Sequence, residues 1–247
     1  MDQLRDHPMM LALGRDAAAL IREVFLDRGS LDPVRELRSH EVYVGDVLQA
    51  SDELVIICDQ LDCGIAWLSG YSKKHMRDGQ LITRADYIAF QVENVYLRTT
   101  SVVDRALILT NCVLGLGLTK SQCRWKRVLK SKEVKSTSAE TALRQLDSAV
   151  DPFRTPRNVI AHHGRYSDES LRQLEMFSIL EKSPDTESRD IIERYSGHFR
   201  ICANQYVHMR RSELSPVVGL VQEAVSGLFD ALLLPYEAGR QTRAAAD

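Results

Sequence analysis

No apolar run in this chain approaches the ~18 residues that a membrane-spanning helix requires. The longest candidate, Val113 to Leu118, is short and holds Gly115 and Gly117. The first residues include Asp2 and Asp6 where an export signal would carry only bases, so no leader is expected. Cysteine is sparse and odd in number. Cys58, Cys63, Cys112, Cys123 and Cys202 cannot all pair, and reduced thiols in a cytoplasmic protein fit best. Four residues separate Cys58 from Cys63, and no Cys/His pair follows at ligand spacing. Neither a structural zinc nor any other metal or cofactor is therefore expected. A strong charge of one sign is also missing: 32 Lys and Arg stand against 34 Asp and Glu, for a net −2 and a pI near 6.4. No global basic field announces a nucleic-acid binder, although a local patch can act without one.

What the chain does have is a 44% hydrophobic, 27% charged composition, ordinary for a globular protein with a real core. Strand signals are nearly absent and helical periodicity dominates. Leu13, Ala17, Leu20, Ile21, Val24 and Phe25 form one helical face, which Asp32-Pro33 interrupts. A second helix is expected from about Val44 to Leu68, with Leu54, Val55, Cys58, Leu61 and Ile65 inward. Gly70 ends it, and Ser72 to Gly79 makes a loop. From Arg84 to Gly115 runs the longest helical pattern, without Pro and without Gly before its end. It has the apolar girth of a central bundle helix.

A basic, mobile-looking stretch follows: Lys120, Arg124, Lys126, Arg127, Lys130, Lys132 and Lys135 against one acid, Glu133. Thr137 and Glu140 have capping-box spacing ahead of a short helix through Leu143 and Leu146. Asp151-Pro152-Phe153-Arg154-Thr155-Pro156 is turn chemistry, after which Thr155 would cap and Pro156 would open a helix carrying Arg157 to His163. Ser183-Pro184 and Ser215-Pro216 would open two closing helices. The fold class expected is an all-α helical bundle.

The chemistry concentrates in Arg157-Asn158-Val159-Ile160-Ala161-His162. Asn158 and His162, four apart, share a helical face, whereas Arg157 lies about 140° around from His162. A helix N-terminus beside them would favour an anion, and phosphate is the obvious guest. RNA cleavage without metal needs such groups. The ribose 2′-OH loses a proton as it attacks phosphorus, and the 5′-oxygen gains one. An imidazole, with its reference pKa near ~6.5, can do either job. Arginine stays charged and holds the phosphate oxygens. One histidine cannot be both acid and base, but two copies facing across a two-fold axis supply both.

An arginine, a polar residue and then a histidine at the fifth position after the arginine resemble the R-x4-6-H motif of HEPN domains. These are helical bundles, many of them ribonucleases of toxin–antitoxin, CRISPR and phage-defence systems. The resemblance covers roughly residues 84–235. It leaves 1–83 as an N-terminal helical extension and 236–247 as a tail. It implies Arg157, Asn158 and His162 as catalytic residues, RNA as the substrate, a homodimer whose two motifs meet in one cleft, and an antitoxin protein as partner in toxin-type members. No membrane association is implied. One position departs from the pattern: where members paired with a nucleotidyltransferase carry a tyrosine two residues after the histidine, this chain has Gly164, with Tyr166 nearest.

Other residues have two readings each. His163 would make the motif R-x5-H, or simply face solvent at a turn. Asp104 belongs to a polar seam with Glu93, Thr100 and Asn111 along the long helix, where related domains carry a polar residue near the cleft; otherwise it pairs with a neighbouring cation. Lys120, Arg124, Lys126, Arg127 and Lys130, with Trp125 as a stacking platform, are a phosphate-tracking patch or a solvated loop. His198 and His208 pack or cap locally. Two functions follow: a metal-independent endoribonuclease, or a non-catalytic helical module that binds nucleotide, RNA or a protein.

Overall fold

The computed structural model describes residues 3–23, 37–72 and 82–247. Of these residues 83% are helical and none lies in a strand, so the chain is all-α. The α-helices are α1 (Pro8–Ile21), α2 (Ser39–Trp67), α3 (Arg84–Leu114), α4 (Trp125–Val128), α5 (Lys132–Lys135), α6 (Ala139–His163), α7 (Glu169–Lys182) and α8 (Thr186–Ala244), with a 3-10 turn at Lys120–Gln122. The bounds of α3 and the end of α2 agree closely with the periodicity, while α2 starts at Ser39, ahead of the expected Val44. Helix α1 starts earlier than expected because Pro8 opens it and the His7 side chain accepts the Met9 amide at 3.1 Å. Val24, Phe25, Asp32-Pro33 and most of the Ser72–Gly79 loop fall outside the described residues.

The contacts divide the chain into two compact units, and four helices contribute to both. Unit 1 comprises residues 1–59, 101–151 and 220–247; unit 2 comprises 60–100 and 152–219. The core of unit 1 holds Met9, Leu13, Leu54, Leu107, Leu143, Leu146, Leu228, Phe229 and Tyr236, all essentially inaccessible. Their polar atoms are satisfied inside the unit. Tyr236 donates to Asp16 at 2.6 Å, and Tyr43 donates to the Val113 carbonyl at 2.9 Å. Burial pushes the Tyr43 phenol up to about 12. In unit 2, Leu61, Ile65, Ile88, Val92, Val95, Phe153, Leu171, Leu174 and Ala203 are buried. Gly64 lets α2 and α3 approach closely: a Cβ there would sit 3.0 Å from Val95 Cγ2.

Several local expectations are overturned, mostly by one cause. The sequence Asp151 to Pro156 does not turn: α6 is continuous for 25 residues with Pro152 and Pro156 inside it. Each proline removes one helical N–H donor. The apolar face nevertheless runs on through Leu146, Val150, Phe153 and Ile160, all buried. Packing along that face outweighs the turn propensity. In the same way α8 passes through Ser215-Pro216 without restarting, because Leu214, Val218, Val221 and Val225 keep one buried stripe. Its start belongs to Asp185, which accepts the Ser188 amide at 2.9 Å, and not to Ser183. The Thr137–Glu140 box does not form; Thr137 takes the Ala139 amide while Glu140 pairs with Arg144 at 2.7 Å.

Helix α7 was not expected. Its signal is Asp168, whose carboxylate caps the Leu171 amide at 2.9 Å, followed by Leu171 and Leu174 inward. On α8 the stripe Ile191, Tyr195, Phe199, Cys202, Tyr206 and Met209 is buried only at Phe199 and Tyr206. Helix α8 also contains an 18-residue window of mean hydropathy 1.7, one third of it buried. By length and composition alone it could cross a membrane, although it holds no unbroken apolar run of that length. Glu223 and Asp230 interrupt this stretch.

Candidate active site

Arg157, Asn158, His162 and His163 occupy the last turns of α6, in unit 2, and all four are exposed. Ile160, 8% exposed, is the inward anchor that holds this end of the helix down. Gly164 stops the helix in the left-handed region, at φ 75°, and its amide donates to the Ile160 carbonyl at 2.8 Å. The motif therefore sits at the carbonyl end of a helix. The expected N-terminal anion site is absent because the prolines do not interrupt α6. The helix itself offers no attraction for a phosphate there, so positive charge must come from side chains.

Arg157 Nη1 donates to the Asn158 Oδ1 at 3.2 Å. That bond draws the guanidinium toward the face that Asn158 shares with His162, offsetting the angular separation along the helix. Among the described residues the remaining guanidinium N–H groups have no acceptor. Among the described residues His162 and His163 make no side-chain hydrogen bond or ion pair. Both imidazoles are open to an incoming group.

The segment after the motif is fixed by a network that sequence reasoning missed. Glu93 of α3 accepts the Tyr166 amide at 2.7 Å. The Tyr166 ring lies 5.0 Å from that of Tyr96, which in turn lies 5.8 Å from Phe153 on α6. Arg210 of α8 donates to Tyr166 at 3.0 Å, to Asp168 at 2.5 Å and to Tyr206 at 3.1 Å. Tyr206 donates to Asp168 at 2.7 Å. Burial works against the Asp168 charge, but the Leu171 amide, the Tyr206 hydroxyl and Arg210 hold its carboxyl below the usual range. Burial, then the neighbouring Tyr96, pushes the Tyr166 phenol up. The alternation of Tyr166, Asp168 and a distant Arg210 carries no local signature.

The polar seam of α3 divides by task. Glu93 anchors Tyr166, Thr100 donates to the Leu97 carbonyl at 3.0 Å, and Asn111 clasps Leu118 through bonds of 3.1 and 3.0 Å. Asp104 is exposed in unit 1 and makes no side-chain hydrogen bond or ion pair among the described residues. The basic stretch, also in unit 1, is folded rather than loose: Val128, Leu129 and Val134 are buried and seat its short helices. Arg124, Lys126, Arg127 and Lys130 are exposed and Trp125 is half-buried. Lys120 is partly neutralised by Glu53 at 3.5 Å. His198 and His208 are exposed, His198 lying 3.5 Å from Cys202. Among the described residues no group of three His, Cys, Asp or Glu side chains is placed to hold a metal ion.

The family described as Cthe2314-like HEPN matches residues 43–221, more than two thirds of the chain. The chain belongs to the HEPN family. The match takes in all of α3, α6 and α7, most of α2 and the first part of α8, and with them Arg157, Asn158 and His162. It begins inside α2, upstream of residue 84, and ends inside α8. Comparison with curated proteins and with solved structures gives no match.

Proposed function

We propose that this HEPN protein is a metal-independent endoribonuclease whose active site is completed by a second copy of the chain. The observation that carries the reading is the end of α6: an arginine tethered to Asn158, and an imidazole with no partner among the described residues, both open to solvent. An arginine and a histidine kept for structure would be engaged by neighbours, as Arg210 and His7 are here. Val159, 37% exposed, and the exposed Ala161 lie between them and give apolar contact for a two-fold interface beside the polar groups.

In this reading His162 takes the proton of the ribose 2′-OH as that oxygen attacks phosphorus. The P–O5′ bond breaks, and the partner subunit's His162 delivers a proton to the leaving 5′-oxygen. Arg157 holds the non-bridging oxygens as charge builds, and Asn158 fixes the guanidinium. The products are a 2′,3′-cyclic phosphate and a 5′-hydroxyl. His163 is a supporting position, and within unit 1 Arg124, Trp125, Lys126, Arg127 and Lys130 track the RNA backbone. The physiological setting is a cytoplasmic toxin or defence effector, restrained in the toxin case by an antitoxin protein.

The test is RNA cleavage by wild type, Arg157→Ala and His162→Ala, alongside sizing of each protein by light scattering. Both variants fold, remain dimers and lose cleavage. Wild-type activity in either variant removes these roles. The non-catalytic reading has one observation in its favour, since the motif lies at a carbonyl end and not at an anion-binding helix start. Retained RNA binding with no turnover by the wild type would select it.

A further inference from the structure

A second cationic feature of unit 2 lies outside the motif. An open groove of ≈ 630 Å³ runs along α8, where Asn204, His208, Arg211, Ser212 and Ser215 recur at helical spacing on one face. Ser69, just past α2, and Arg84, the first residue of α3, form its other wall. Among the described residues no acidic side chain lines it.

Its arginines are held by neutral groups. Arg84 donates to the Asn204 Oδ1 at 2.6 Å, and Arg211 donates to the Ser69 hydroxyl at 3.0 Å. Among the described residues neither is paired with a carboxylate. In the same unit Lys182 takes Asp86, Arg165 takes Glu175 and Arg210 takes Asp168. Burial lowers the Arg84 pKa from its ordinary value; Tyr71 opposes that, and the guanidinium of Arg200 adds a smaller lowering, so a third cation bears on Arg84. Gathering like charges without a counter-charge is unfavourable in the free protein and favours an arriving anion. Two guanidinium forks with serine hydroxyls and an imidazole beside them fit the many acceptor oxygens of a phosphate better than the single edge of a carboxylate.

We propose that the groove between Ser69, Arg84 and the Asn204–Ser215 face of α8 binds a phosphate group. Arg84 and Arg211 are its principal donors, with Ser212 and Ser215 at its edge. Arg157 and His162 do not line this groove, so the proposal stands without the ribonuclease reading.

The experiment is titration calorimetry on the full chain with two probes, inorganic phosphate and a 2′-O-methyl RNA oligonucleotide that cannot be cleaved. Wild type is compared with Arg84→Gln/Arg211→Gln, with Arg84→Lys/Arg211→Lys, and with Arg189→Gln/Arg194→Gln, which neutralises two exposed arginines of α8 outside the groove. The Gln pair weakens binding by about tenfold or more, the Lys pair keeps the charge but loses the forks and falls between the Gln pair and wild type, and the outside pair stays within about threefold of wild type. Weakening confined to inorganic phosphate identifies a free or terminal phosphate as the ligand. Weakening of the oligonucleotide identifies the backbone of RNA. The proposal is overturned if wild type binds neither probe. It is equally overturned if the groove pair binds as wild type does, or if the outside pair loses as much as the groove pair.

Discussion

Replacing Arg210 by alanine removes the group on which the segment after the motif converges. The Arg210 side chain is 13% exposed and that of Asp168 is 23% exposed, so the pair is neither fully buried nor on the rim. Without Arg210, Asp168 keeps the Leu171 amide and the Tyr206 hydroxyl but loses its cation, and Tyr166 loses its donor. Breaking a fully buried pair costs about 3–5 kcal/mol. An exposed pair is worth about 0–1 kcal/mol. For this geometry a loss of about 2–3 kcal/mol is expected, the Tyr166 bond adding to the ion pair. Urea unfolding at neutral pH reads it as a lower midpoint with an unchanged slope. Arg210→Lys recovers only part, because one ammonium cannot reach three acceptors set for a planar fork. The pH dependence has a definite sign. The folded-state pKa of Asp168 is depressed, so its contribution is present above the ordinary carboxylate range and is lost as pH falls through the depressed value. The Arg210→Ala penalty is therefore largest at neutral pH and shrinks in acid. A penalty below about 0.5 kcal/mol at neutral pH, the range of ordinary surface changes, would refute the reasoning.

Two further outcomes are expected. Pro156→Ala restores a helical donor inside a continuous α6: about 3 kcal/mol of helix penalty is relieved against about 1 kcal/mol of added unfolded-chain entropy, so the thermal midpoint rises. A lower midpoint would mean that the chain turns at residues 151–156 after all. If the α4 region tracks RNA phosphates, Lys126→Gln/Arg127→Gln/Lys130→Gln reduces the slope of log affinity against log salt by about 3, measured by fluorescence anisotropy. An unchanged slope would leave those side chains as solvated charges.

The long helices were legible because their apolar positions repeat over many turns. The bounds of α3 and the end of α2 came through for that reason, and the all-α class with them. The errors gathered at proline. Pro152, Pro156 and Pro216 carry local turn propensity, and a reading that weighs neighbours first breaks the chain there. Leu146, Val150, Phe153 and Ile160 settle the matter through burial that appears only in the folded state. Arg157, Asn158 and His162 stand out by type and spacing as candidates, but the charge environment expected around them is reversed. A continuous α6 puts them at its carbonyl end. Glu93, Tyr166 and Arg210 escaped because they meet from three separate stretches of chain. The Arg84–Arg211 groove escaped for the same reason, although the spacing of Asn204, His208, Arg211 and Ser215 on α8 is regular.

The central claim is that the end of α6 cleaves RNA by 2′-OH attack through His162. End-group analysis of RNA incubated in excess EDTA with wild type and with His162→Ala tests it most directly. The account predicts 2′,3′-cyclic phosphate and 5′-hydroxyl ends from wild type, and a rate lower by about 10²-fold or more in the variant. Products ending in 3′-hydroxyl and 5′-phosphate, or equal cleavage by the two proteins, would contradict it.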